Sequence, residues 1–114
     1  MEKEEIEVFI KDNLISIVYF SGATCGACDV IRDKVLHIIK DYKEIKFMEI
    51  NAVKNKEIAT SYDIFSLPIL LLFVNEKETL RIGRYFDLLD FRNSIDRYYN
   101  LIFWDSINNR NDNL

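Results

Sequence analysis

Cys25 and Cys28 are the only two cysteines in this chain of 114 residues, three positions apart in Thr24-Cys25-Gly26-Ala27-Cys28. On the first turn of a helix that spacing puts both sulfurs on one face, close enough to close a disulfide across a small loop. Unpaired backbone N–H groups at a helix start carry partial positive charge, which favours thiolate over thiol. Reversible thiol–disulfide chemistry is the use this arrangement suits. The bland alternative is an inert dithiol. A metal centre would need four ligands, so two cysteines would require a dimer; His37 lies about half a helical turn out of phase with Cys28. No metal is expected, and His37 reads as an ordinary helix residue.

The flanking residues supply the strand and helix that such a site needs. Leu14 to Phe20 is apolar except for Ser16 and too short for a core helix, so it reads as a buried central strand. From Cys28 to Tyr42, Ile31, Val35, Ile38 and Tyr42 recur at helical spacing, with Arg32, Asp33, Lys34 and Lys40 mainly on the other side. Ahead of this unit, Lys3 to Asp12 carries Ile6, Phe9 and Ile10 on one face of a short helix, and Asn13 is suited to a left-handed residue ending it. Beyond it come a strand over Glu44 to Asn51 and an N-cap at Asn55 for a helix over Lys56 to Tyr62. Pro68 opens a strand over Ile69 to Val74, and a turn over Asn75 to Glu78 returns the chain as an edge strand over Thr79 to Gly83. Asp87 caps a last helix burying Leu88, Phe91, Ile95, Tyr98 and Ile102.

Strands separated by helices are expected to pair in parallel, and the hairpin adds one antiparallel member. The expected fold is an α/β three-layer α/β/α sandwich around a central mixed four-stranded sheet. Residues 1–104 form a single domain and residues 105–114 a polar tail, expected to be frayed. With 49% hydrophobic residues the chain can build a real core. The net charge of −4, without a basic block, argues against nucleic acid and anionic membrane surfaces as partners. The longest apolar run, Leu67 to Val74, is far short of the roughly 20 residues that span a bilayer. A cytoplasmic protein is expected, where a close cysteine pair is more often catalytic or metal-binding than structural.

Cys25-Gly26-Ala27-Cys28 after a buried strand resembles the thioredoxin active site. Residues 55–64 resemble that family's helix before its second landmark, and Phe65-Ser66-Leu67-Pro68-Ile69-Leu70-Leu71-Leu72-Phe73 resembles its cis-proline loop and following strand. The resemblance covers about residues 14–100 and implies that Pro68, the only proline, is cis and lies beside the cysteines. There are departures: Thr24 stands where Trp is common and Ala27 where Pro is common. Tyr19 replaces the family's buried acid, the companion lysine falls at Phe47, and Ile69 follows the proline where Thr is frequent. A first strand of the full fold is missing, which points to a divergent, thioredoxin-like protein.

The resemblance implies a protein-disulfide reductase in which Cys25 is the nucleophile and Cys28 resolves the mixed disulfide. Thr24, Gly26, Ala27, Leu67 and Pro68 would then line the substrate site. No cofactor is expected beyond the redox-active Cys25–Cys28 disulfide. Expected partners are disulfide-containing protein substrates and a reductase or small-thiol electron donor, with the protein a monomer and a weak dimer the alternative. The competing reading is a non-catalytic binding module that holds an extended peptide in the Leu67-Pro68 groove. Asp29 and Asp33 oppose thiolate formation and Arg32 offsets them. Tyr19 is core or a hydrogen-bond donor to a sulfur; Phe65 and Leu67 are a substrate rim or simple packing. Tyr98, Tyr99, Phe103 and Trp104 are core, or a partner patch where they face outward.

Overall fold

Strand β1 (Ile15–Ser21) is buried at every position, and the sheet is assembled around it. The computed structural model describes the backbone of residues 1–112 and the side chains of residues 1–103. The element order is α1 (Lys3–Asp12), β1, α2 (Gly26–Ile39), β2 (Ile45–Asn51), α3 (Lys56–Ser61), β3 (Ile69–Val74), β4 (Lys77–Ile82) and α4 (Leu88–Asp112). Four strands form one sheet in the order β2-β1-β3-β4.

The period-two alternation of a strand divides the core into two layers. Ile15, Ile17 and Tyr19 of β1, with Leu70 and Leu72 of β3, face Ile31, Val35 and Ile38 of α2 and Phe91 and Ile95 of α4. Val18 and Phe20, with Leu71 and Phe73, face Ile6 and Ile10 of α1 and Ile58 and Ala59 of α3. Helices therefore cover both faces, giving the three-layer α/β/α sandwich. Tyr98, Tyr99, Phe103 and Ile102 pack partly buried against the first layer. The expected aromatic cluster is thus core as far as it is described, and the Trp104 side chain lies outside the described residues.

The direction of β3 corrects the expectation of parallel pairing. β1 and β2 run parallel, Tyr19 opposite Glu49 and Ser21 opposite Asn51, but β3 runs antiparallel to β1. Helix lengths explain this. The fourteen residues of α2 rise about 21 Å, enough to return the chain along a seven-residue strand of about 23 Å. The six residues of α3 rise only about 9 Å, so β3 must start at the end of the sheet where β2 finished. That end is also where β1 delivers the chain to the cysteines.

Three local expectations change as well. Asn13 is extended (φ −127°), not left-handed, and ends α1 by donating its side-chain Nδ2–H to Phe9 O at 2.8 Å. Asn55 occupies the N-cap position of α3 without a side-chain cap; its Nδ2 donates instead to Asn51 O at 2.9 Å. The hairpin turn is shorter than expected, because Lys77 already pairs with Val74 and only Asn75 and Glu76 lie between the strands. Both have positive φ, 51° and 70°, the handedness that suits two-residue hairpins. Asp87 caps α4 as expected, its Oδ1 accepting from the N–H groups of Leu89 and Asp90 at 3.0 and 3.1 Å. The α4 backbone continues to Asp112, through most of the stretch expected to be a tail. Side chains from residue 104 on, and residues 113–114 altogether, lie outside the described residues.

Candidate active site

The site is built where β1 ends. Ser21 is the last strand residue, Gly22-Ala23-Thr24 makes the turn, and Cys25 is the extended N-cap (φ −104°) of α2. The helix begins at Gly26, two residues before the expected start at Cys28, so Cys25 caps it and Cys28 lies in its first turn. Their Cα atoms are 5.2 Å apart and the sulfurs are joined in a disulfide. The Cys28 backbone N–H is within 3.2 Å of Cys25 Sγ and 3.1 Å of Cys25 O. A helix-start amide thus points at the outer sulfur, where it would stabilise negative charge once the disulfide opens. The two sulfurs differ in access: Cys28 is 1% exposed, whereas Cys25 is only partly covered. Thr24 and Gly26 are exposed beside it and Ala27 is half-buried.

The other wall is the segment entering β3. The Leu67–Pro68 peptide is cis and Pro68 is buried. Ile69 pairs with Phe20, so Leu67 and Pro68 stand level with the turn after β1. Gly22 is the point of closest approach: a Cβ there would lie 3.0 Å from Leu67 Cδ1 and 3.6 Å from Val53 Cγ2. A shallow groove continues from Leu67 along α3, lined by Val53, Lys56, Thr60 and Phe65. Phe65 is 80% exposed at this groove and takes little part in the packing.

Under the dithiol lies Tyr19, fully buried, whose hydroxyl donates to Cys28 O at 2.8 Å. Its partner is a carbonyl and not a sulfur. Burial, aided by nearby Glu49 and Asp29 against Arg32, pushes the phenol up to about 12. Phe47 sets its ring 5.9 Å from Tyr19 and brings no charge. The charged residue across the strand pair is Glu49, whose Oε2 accepts from Ser21 Oγ at 2.6 Å and lies 3.4 Å from Arg32 Nη1. Arg32 also meets Asp29 at 3.1 Å and Asp33 at 3.5 Å. Partial burial opposes the Arg32 charge, but Glu49, Asp29 and Asp33 outweigh it and hold the guanidinium more basic than usual.

The family profile described as Thioredoxin matches residues 1–96. The chain belongs to the thioredoxin family. It is 31% identical over 96 residues to the thioredoxin-like protein YdfQ of Bacillus subtilis, covering 84% of this chain and 86% of that protein. Thioredoxin 1 of Thermosipho africanus superposes with a TM-score of 0.69 at 26% identity, over 75% of this chain and 96% of that one. A mutant thioredoxin of Halobacterium salinarum reaches a TM-score of 0.77 over 87% of each chain at 19% identity, a likeness of fold alone. With the family's C-x-x-C disulfide in place, the protein is a thiol–disulfide oxidoreductase, and thioredoxins as a class act on disulfide substrates. No observation favours the alternative of a non-catalytic peptide-binding module.

Of the expected site residues, Thr24, Cys25, Gly26, Ala27 and Cys28 are contiguous at the start of α2, and the fold carries Leu67, with Pro68 next to it, against Gly22 in the turn just before them. His37 is elsewhere, exposed on α2 beside a groove against α4. Two residues escaped the sequence reading. Glu49 sits in a strand whose alternation marks it only as half-buried, and nothing local shows that Arg32 reaches it. Arg84 follows β4 and donates to Leu67 O at 3.4 Å, a contact between residues 17 positions apart. A lone cation between Gly83 and an aromatic was the available signal.

Proposed function

We propose that this thioredoxin-family protein reduces disulfides in extended segments of protein substrates, with Cys25 attacking and Cys28 resolving. The asymmetry of the two sulfurs carries the reading: one is reachable at the helix mouth beside an N–H group, the other is 1% exposed behind it. In the reduced protein the Cys25 thiolate attacks one sulfur of the substrate disulfide. A Cys25–substrate bond forms, and the other substrate sulfur leaves as a thiolate that takes up a proton. Cys28 then loses its proton and attacks Cys25 Sγ, forming the Cys25–Cys28 disulfide and expelling the second substrate thiolate. Two electrons pass to the substrate, and either a reductase dithiol or two molecules of a small thiol, themselves oxidised to a disulfide, restore the pair.

Thr24, Gly26, Ala27, Leu67 and Pro68 form the substrate rim, with the main chain around Leu67 pairing an extended segment. The redox-active disulfide is the whole of the prosthetic chemistry, so no cofactor is required. Among the described residues no helix is long and apolar enough to cross a membrane. A reductase of this kind fits a cytoplasmic setting, where thiol donors are plentiful.

The test is trapping. Cys28→Ser should accumulate a covalent mixed disulfide with substrate protein, stable until a thiol is added, while Cys25→Ser should accumulate none. Full exchange activity in Cys25→Ser would overturn the assignment. Equilibration with glutathione reads the direction: the Cys25–Cys28 disulfide should persist at glutathione ratios that already reduce the disulfides of its substrates.

A further inference from the structure

We infer that Arg84 is a specificity-determining residue, selecting disulfide substrates whose extended segment carries a carboxylate close to the reactive cysteine. The inference rests on the reductase reading above and adds the chemistry of the substrate.

Four observations converge on it. Gly83 brings the end of β4 against the proline segment: a Cβ there would lie 3.6 Å from Ile69 Cδ1 and 4.0 Å from Pro68 O. The following residue, Arg84, is exposed and its Nη2 lies 3.4 Å from Leu67 O. At that length the bond is at the edge of the useful range and easily given up. Leu67 stands outside both ladders of β3, whose pairs end at Phe20–Ile69 on one side and Leu70–Ile82 on the other. Its carbonyl is therefore an acceptor left over for a strand arriving from outside the molecule.

Arg84 is also without an anionic partner, which distinguishes it. Arg32 is held by three carboxylates, Arg81 by Glu78 and Arg92 by Asp41, while Arg97 lies over the Tyr98 ring. Among the described residues Arg84 is the one arginine with neither a carboxylate nor an aromatic face, in a chain with 19 acidic against 15 basic residues. Two exposed rings lie close by in the chain, Tyr85 next to Arg84 at 97% exposure and Phe65 two residues before Leu67 at 80%. An incoming segment would bury those rings and meet one uncompensated guanidinium.

On docking, Arg84 leaves Leu67 O to the substrate backbone and takes the substrate carboxylate, for which its planar fork is suited. The chain's overall negative charge opposes an acidic partner at long range. That repulsion is screened over about 8 Å at physiological salt, so the direct contact decides.

The test uses the reduced full-length protein in single turnover against disulfide peptides that differ at one residue. Glu, Gln or Lys is placed in turn at each of the two positions on either side of the cysteine. At physiological salt, one position should give a rate with Glu about two- to fivefold above Gln, with Lys below Gln, and the spread should shrink as salt is raised further. Arg84→Gln should bring the Glu-to-Gln ratio to one, and Arg84→Lys should keep part of it. Each ratio is internal to one variant, so a general loss of activity or folding cancels. A wild-type ratio of one at every position, or a ratio that survives in Arg84→Gln, overturns the role of Arg84 while leaving the reductase intact. If none of the peptides is reduced at all, the reductase reading fails and the Arg84 assignment falls with it.

Discussion

The hydroxyl of Tyr19 donates to the main-chain oxygen of Cys28 at 2.8 Å, tying the buried half of the dithiol to the central strand. Tyr19 is fully buried, with both its ring and its hydroxyl accounted for. The site's inner cysteine is thus positioned by the middle of the sheet and not only by its own helix. A tyrosine does this work where the family resemblance leads one to expect an acid, so the group beneath Cys28 is neutral across the physiological range.

Replacing Tyr19 with Phe keeps the packing and removes the hydrogen bond, so stability should fall by about 1 kcal/mol in denaturant titration. The pH dependence is more specific. With the folded phenol at about 12 against an ordinary 10, the folded state holds a proton that the unfolded state releases between those values. Stability from this group is complete below pH 10 and is lost as pH rises towards 12, by roughly 2–3 kcal/mol in total. Tyr19→Phe should flatten that alkaline slope. An identical slope in the variant would show that another group carries it.

Among the described residues, Arg32 is the only cation paired with Asp29 and Asp33 of α2 and Glu49 of β2, a cluster that begins one residue after Cys28. Arg32→Ala leaves three carboxylates uncompensated, which should raise the thiol pKa of reduced Cys25. Its alkylation at neutral pH should slow by about two- to fivefold, with the effect weakening in salt. Glu49→Gln removes one negative charge and should move the rate the other way. Equal rates in wild type and both variants would show that solvent screens the cluster from the sulfur.

Asn75 and Glu76 both hold positive φ in the hairpin between β3 and β4. Such a turn favours Asn-Gly, and Glu76 has a Cβ that disfavours its φ of 70°. Glu76→Gly should raise stability by roughly 0.5–1 kcal/mol at unchanged activity, because the turn lies at the opposite end of β3 from Pro68. A lower midpoint in denaturant would mean that glycine's extra freedom in the unfolded chain outweighs the relief.

Much of the fold was legible because its signals are local and repeated. β1 reads as a buried strand from its apolar run, the inward faces of α2 and α4 from helical spacing, and the Asp87 cap from its position ahead of that spacing. The misread details each depended on a choice among nearly equal local options. Asn13 had either its backbone or its side chain with which to end α1, and the side chain found Phe9 O. The turn at Asn75 and Glu76 was set by where Lys77 met Val74, a contact between strands.

The sequence by itself determined the chemistry: two cysteines at a strand–helix junction, with spacing that a single helical turn converts into a closable pair. Tertiary structure alone decided what surrounds them. The shortness of α3 reversed β3 and so brought Leu67 and Pro68, with Arg84 beside Leu67, to the end of the sheet that carries the cysteines. The parallel register of β1 and β2 put Glu49 beside Tyr19 and within reach of Arg32. Periodicity reports which face of an element is apolar, whereas these neighbours were fixed by strand direction and register, which arise only when distant segments pack.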